Sequence, residues 1–180
     1  MSSLRGCYGG ACLSLFDKIR TSFKSSRSED IVDDKTKIER RRNKRVNALP
    51  GTKILIIDDS KTICALLRKM LEQNHYDVSI ALDGESGIQA IREQKPELIF
   101  LDIVLPGING FQVLRALRKN PFTKNIPVIM ISGNVQATEK YYAERIGADD
   151  FMKKPFSRFE VFHRLENFIS SDQRIRRVVL

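Results

Sequence analysis

At 180 residues and 42% hydrophobic content, the chain has room for one domain of ~100–150 residues plus an extension, with enough apolar material for a packed core. It has no run of ~18 apolar residues and no apolar signal stretch at its start, so a transmembrane helix and a secretory leader are not expected and the cytoplasm is. The net charge of +9 is uneven: residues 1–52 hold 12 Lys/Arg against 6 Asp/Glu, and residues 53–180 hold 19 against 16.

Residues 1–51 read as a basic N-terminal extension in which Ser, Gly and charge dominate. Cys7 and Cys12 have a spacing that metal ligands tolerate, but no second Cys or His pair lies nearby, so no metal site is expected there. Leu13, Phe16, Ile19 and Phe23 recur at near-helical spacing among Lys18, Arg20 and Lys24. That pattern fits an amphipathic segment facing a partner groove or a membrane surface, and equally a frayed segment packed loosely on the domain. A charged run over 33–45 follows, and Pro50-Gly51 marks the boundary.

From Lys53 the pattern changes. Lys53–Ile57 is a short apolar, β-branched run ending in Asp58-Asp59, as in a strand buried on both faces. Ser60 can cap the next helix, whose apolar face is read as Ile63, Leu66, Leu67, Met70 and Leu71. Asp77–Ala81 is a second strand, and Asp83 opens a helix with Ile88 and Ile91 inward. Glu97–Leu101 is a third strand, ending in Asp102. After the loop 105–110, Phe111, Val113, Leu114 and Leu117 belong to a helix. Ile126–Ile131 is a fourth strand, followed by Ser132-Gly133 and a helix from about Gln136 to Ile146. Asp150–Lys153 is a fifth strand, then Lys154-Pro155 and a last helix with Phe159, Phe162, Leu165 and Ile169. Cys64 falls in an apolar pattern and reads as a small buried hydrophobe. The domain is placed at 52–172, with 173–180 as a short basic tail.

Strands alternating with helices imply a parallel sheet covered on both faces. In an open parallel sheet the C-terminal strand ends share one edge, where ligands bind. Asp58, Asp59, Asp102, Ser132 and Lys154 all fall at such ends. One strand-end Asp is usually a helix cap, but five polar groups of this kind are poorly explained by capping. Three carboxylates in one crevice repel one another unless a cation intervenes, and oxygen-only ligands suit a hard ion such as Mg²⁺. A carboxylate can attack phosphorus to give an acyl phosphate. Lys154 can pair with phosphoryl oxygens, Ser132 can donate to one, and Gly133 leaves the acceptor accessible.

In this order the residues resemble the receiver domain of two-component response regulators, over roughly residues 53–170. The resemblance rests on Ile57-Asp58-Asp59-Ser60, on Leu101-Asp102-Ile103-Val104-Leu105-Pro106-Gly107 and on Lys154-Pro155-Phe156. It implies a flavodoxin-like doubly wound (βα)5 fold with a five-stranded parallel sheet in the order 2-1-3-4-5. It also implies Asp102 as phosphoacceptor, with Asp58, Asp59, Asp102 and the Val104 backbone carbonyl as Mg²⁺ ligands. Ser132 and Lys154 would sense the phosphoryl group, Phe151 would be the aromatic switch residue, and Gly133 and Pro155 would support them. Leu105 and Ser132 stand where Met and Thr are common, without loss of a needed group.

The expected partners are a histidine kinase or a His-phosphotransfer protein, and a downstream protein. The latter would bind the face made by the helix from Gln136, the fifth strand and the last helix, near Tyr141, Tyr142, Arg145 and Lys153. No output domain is read from the sequence, so the chain is similar to the single-domain chemotaxis and type IV pilus regulators. It would catalyse only its own phosphorylation and dephosphorylation. Three other readings are weaker. A haloacid-dehalogenase-type enzyme needs a second Asp at a spacing where Ser60 stands. A nucleic-acid-associated regulator would act through the basic arm. A phosphate sink would drain a shared kinase.

Overall fold

The computed structural model describes residues 46–133 and 145–177. Segment 13–24, Cys7, Cys12, Tyr141, Tyr142 and most of the helix expected from Gln136 lie outside them.

Among the described residues nine elements follow one another: β1 (Lys53–Ile57), α1 (Lys61–Glu72), β2 (Asp77–Ala81), α2 (Gly84–Gln94), β3 (Leu98–Asp102), α3 (Gly110–Lys119), β4 (Val128–Ser132), β5 (Asp150–Lys153) and α4 (Arg158–Glu166). The strands form one parallel sheet in the order β2-β1-β3-β4-β5, the doubly wound arrangement expected. Each helix starts where a short polar side chain takes up an unpaired backbone N–H. Ser60 accepts from Ile63, Asp83 from Ser86, Asn109 from Gln112 and Ser157 from Glu160. Asn109 and Gln112 complete a reciprocal capping box.

The period-2 alternation of the strands divides the core into two layers. Ile54, Ile56, Phe100, Ile129, Ile131 and Met152 face α1 and α4, where Leu67, Leu71, Phe162 and Leu165 meet them. Leu55, Ile57, Leu101, Val128, Met130 and Phe151 face α2 and α3, against Ile91, Val113, Leu114 and Leu117. The runs read as apolar throughout because both faces are covered.

Differences from the sequence reading are local. β3 ends on Asp102 as read but starts at Leu98 rather than Glu97; past its end the Ile103 N–H continues the ladder to the Ile131 carbonyl at 3.0 Å. β4 starts at Val128 rather than Ile126, since Pro127 has no N–H to give. Leu66 and Phe159 point outward, 40% and 61% exposed, and Phe159 stacks on His163 instead. Two residues read as belonging to the flanking segments, Ala48 and Ile175, lie in the α1/α4-side core. The Ala48 N–H donates to the Tyr76 hydroxyl at 3.1 Å and the Leu49 N–H to the Gln173 carbonyl at 3.1 Å.

Candidate functional site

Strand register brings the polar ends together. Ile57 is opposite Leu101, so Asp58 follows beside Asp102, while Ser132 is opposite Lys153, with Lys154 next. The ladder continues past the strand ends: Asp58 N–H bonds to the Ala81 carbonyl at 3.1 Å and Lys154 N–H to the Ser132 carbonyl at 2.8 Å. One carboxylate oxygen from each of Asp58, Asp59 and Asp102 lies within 4.8 Å of the others. Asp58 and Asp102 are buried and Asp59 is exposed.

Lys154 Nζ bridges two of these groups, 2.6 Å from Asp58 Oδ2 and 2.6 Å from Asp102 Oδ2. The contact with Asp102 is a well-aligned hydrogen bond. The contact with Asp58 is an ion pair only: Asp58 Oδ2 is fully buried and has no aligned donor. Its other oxygen accepts from the Ser60 N–H at 2.9 Å. Asp102 Oδ1 accepts from the Val104 N–H at 3.3 Å. Burial raises the pKa of Asp102 above the ordinary carboxylate value, the Lys154 hydrogen bond works against that rise, and the Asp58 charge adds to it. For Lys154, burial opposes the charge, but the close contacts with the Asp102 and Asp58 carboxylates outweigh it and the pKa is raised. Cys64 donates its thiol to the Asp58 carbonyl at 3.2 Å. Burial, with the Asp58 charge, pushes that thiol up to about 11, so it stays protonated and unreactive.

Ser132 is buried at the end of β4, while Gly133 is exposed, and a Cβ there would meet nothing within 4 Å. Val104 is 69% exposed at the mouth of the crevice, Phe151 is buried in the α2/α3-side core, and Pro155 is exposed after a cis Lys154–Pro155 bond. Asp58, Asp59, Asp102, Ser132 and Lys154 thus stand together at this edge, and Phe151 lies within β5 opposite Met130.

Two supporting residues escaped sequence reasoning. A Cβ on Gly110 would sit 2.0 Å from the Asp102 carbonyl oxygen, so only glycine lets α3 start against the acceptor strand. The Gly110 N–H also closes the loop onto the Ile103 carbonyl at 2.9 Å. Glu85, from the first turn of α2, accepts from the Ile108 N–H at 3.2 Å and lies under Gly107, whose φ is +72°. The Gly-Ile-Asn-Gly spacing over 107–110 was the available signal.

Chemically, three carboxylates against one ammonium leave an excess of about two negative charges. The donors are all oxygens, and one buried oxygen lacks an aligned partner. That set fits a hard divalent cation.

Comparison with known proteins agrees with the geometry. The sequence pattern of the response regulator receiver domain family matches residues 54–166. The chain is 43% identical over 103 residues to protein PilH of Pseudomonas aeruginosa, a match that covers 57% of this chain and 85% of PilH. It is 39% identical over 114 residues to the alkaline phosphatase synthesis transcriptional regulatory protein PhoP of Bacillus subtilis. That match covers 63% of this chain but only 47% of PhoP. Among solved structures, a putative response regulator from Chloroflexus aurantiacus superposes with a TM-score of 0.63 at 32% identity, covering 66% of this chain and 97% of that one. The Vibrio cholerae chemotaxis protein CheY4 superposes with a TM-score of 0.62 at 25% identity, covering 64% and 97%. The chain therefore belongs to the response regulator receiver domain family and is a receiver of two-component phosphorelay signalling.

Proposed function

We propose that Asp102 accepts a phosphoryl group from a histidine kinase or His-phosphotransfer protein, and that the change at this edge switches binding to a partner protein. The observation that carries this reading is the 2.6 Å contact between Lys154 and an Asp102 carboxylate lodged beside two further carboxylates. Asp58, Asp59, Asp102 and the Val104 carbonyl would hold Mg²⁺. When bound, the ion supplies charge neutralisation for the incoming phosphoryl oxygens. Lys154 holds Asp102 in place and offers its ammonium to a phosphoryl oxygen as a point charge. Ser132 offers its hydroxyl, and Gly133 keeps the approach open.

A phosphorylated side chain carries about two negative charges. The new group pulls on Lys154 and Ser132, which are joined through backbone to β5 and so to Phe151 and α4. The face proposed for the downstream protein includes β5 and α4, together with the segment from about Gln136 that the sequence reading assigned to it. The proposal includes a regulatory role without turnover of an outside substrate, and a cytoplasmic site of action. No helix among the described residues is long and apolar enough to cross a membrane.

The domain is placed at residues 46–177, because Ala48 and Ile175 contribute to its core; residues 1–45 would be the extension. A membrane or protein surface for residues 13–24 stays a proposal from the sequence pattern. Action through nucleic acid or as a phosphate sink is less favoured, since the described features converge on the strand-end crevice.

Incubation with acetyl phosphate and Mg²⁺ tests the acceptor. A single added phosphoryl group is expected on the wild-type chain, absent in Asp102→Asn, by mass spectrometry of the intact protein. Equal labelling of the two would overturn the assignment.

A further inference from the structure

At the edge of the sheet away from the acidic crevice, the turn after α3 carries Phe122, which is 93% exposed. A single exposed aromatic is ordinary. Two further observations give this one meaning. The first is that the turn holding it is rigidly bonded. Asn120 Oδ1 accepts from the Phe122 N–H at 3.0 Å. The Asn120 carbonyl accepts from the N–H groups of Thr123 and Lys124 at 3.1 and 2.9 Å. The Thr123 hydroxyl donates to the Leu117 carbonyl at 2.9 Å. From outside the turn, Arg118 Nη1 donates to the carbonyls of Lys124 and Ile126 at 3.1 and 2.9 Å. Phe122 is thus held outward on an ordered frame.

The second observation is that Phe122 forms one wall of a groove of about 490 Å³. Ile91, Pro96 and Ile126 supply its other apolar surface, and the charged residues that line it are Arg92 and Lys95, both cations. The neighbouring Glu93 accepts from Gln89 and lines a different depression, beside Lys53 and Asp77.

We propose that this groove docks a segment of a partner protein that presents a large apolar side chain flanked by Asp or Glu. Its volume lies within the range of small ligand sites and takes one or two large side chains. The frame is ordered before binding, so docking freezes little at Phe122, the condition under which an aromatic becomes a dominant anchor. Arg92 and Lys95 select the sign of the flanking residues. A second copy of this chain is disfavoured, because a symmetric contact would set the same cations against each other. The groove shares no residue with the strand-end crevice, so docking is compatible with either state of Asp102.

The test uses the full chain, ¹⁵N-labelled, at low salt. The probe is a library of synthetic twelve-residue peptides, each with a Leu, Ile, Phe or Trp between Asp and Glu residues, and matched peptides with Lys in place of the acids. Acidic peptides are expected to bind and to shift amides within 91–96 and 120–126. Phe122→Ser, and separately Arg92→Glu with Lys95→Glu, should each weaken binding at least about tenfold. The thermal midpoint should hold in Phe122→Ser and fall only slightly in the double variant, whose new carboxylates stand at the C-terminal end of α2, since all three positions are exposed. The proposal is overturned if no acidic peptide binds, if the Lys peptides bind as well, if both variants retain affinity, or if the shifts lie elsewhere. It is equally overturned if sedimentation shows self-association that Phe122→Ser abolishes, which would make a second copy the occupant.

Discussion

Asp58 and Asp59 are adjacent in sequence, yet their surroundings differ sharply. Asp58 is fully buried, with one oxygen held by the Ser60 N–H and the other against Lys154, whereas Asp59 is exposed. Removing charge from Asp59 therefore leaves the packing alone and takes one ligand from the proposed ion. Asp59→Asn is expected to lose most Mg²⁺ affinity while unfolding at the same denaturant concentration as wild type. Titration with Mg²⁺ alongside urea melts checks both halves. Gly110→Ala should do the opposite. A methyl group 2.0 Å from the Asp102 carbonyl oxygen must push α3 or β3 aside, at a cost of about 1–3 kcal/mol. Both the urea midpoint and the rate of labelling by acetyl phosphate should fall. The contrast shows why one residue was legible in the sequence and the other was not. Asp59 announces itself by chemical type at a strand end. Gly110 and Glu85 act through space and loop support, which become visible only when α2 and α3 are set against β3.

Elements were legible where a single physical signal decided them. β1, β2 and β5 have the bounds expected, and β1 is the clearest case, because its apolar run stops at Asp58-Asp59. The starts of β3 and β4 differ from the reading: that of β4 was legible in Pro127, which has no N–H to give, whereas that of β3 depends on pairing with its neighbours, which a single strand's sequence does not carry. The start of β5 depends on another feature that spacing did not suggest. Asp149, just before it, has a side chain only 4% exposed and is paired with Arg118 at 2.7 Å and with Arg177. It also accepts from the Val128 N–H at 2.8 Å. Arg118 reaches the Gly147 carbonyl at 2.7 Å as well. One carboxylate thus fastens α3, the start of β4, the start of β5 and the C-terminal segment. Burial lowers the Arg118 pKa to about 10, with Asp149 working against that fall, so the guanidinium stays charged at neutral pH. Asp149→Ala should leave two partly buried cations without their carboxylate and the Val128 N–H without its acceptor, and cost about 1–3 kcal/mol. Urea denaturation followed by far-UV circular dichroism would measure it.

For the molecule as a whole, the receiver region has a wider footprint than its motifs suggest. The family pattern ends at residue 166, but Phe168 and Ile175 are buried beyond it, and Ala48 is buried before it. These residues carry no motif. They fill the end of the α1/α4-side core, and their apolar character is too sparse to stand out in a charged stretch. A shortened chain beginning at Val46 should match the thermal midpoint of the full chain. One beginning at Pro50 loses the Ala48 methyl and leaves the Tyr76 hydroxyl, nearly buried, without the Ala48 N–H. It should be less stable by about 1–3 kcal/mol, while still accepting phosphate at Asp102. Differential scanning calorimetry of the two shortened chains against the full chain would show whether the boundary lies before or after Ala48.

The Leu49–Gln173 hydrogen bond joins positions at opposite ends of the described chain, and this has a consequence for how the protein is made. Synthesis proceeds from the N-terminus, and domains can fold as they emerge. β1, β2 and β3 can assemble with α1 and α2 while later parts are still being added. The segment around Ala48, although translated before all of them, can reach Tyr76 early but gains the Gln173 carbonyl and the Ile175 side chain only when those residues have left the ribosome. The earliest-made part of the domain is thus the last to be secured. On a nascent chain halted before residue 170, it should be the part of the domain that a protease or a chaperone reaches first.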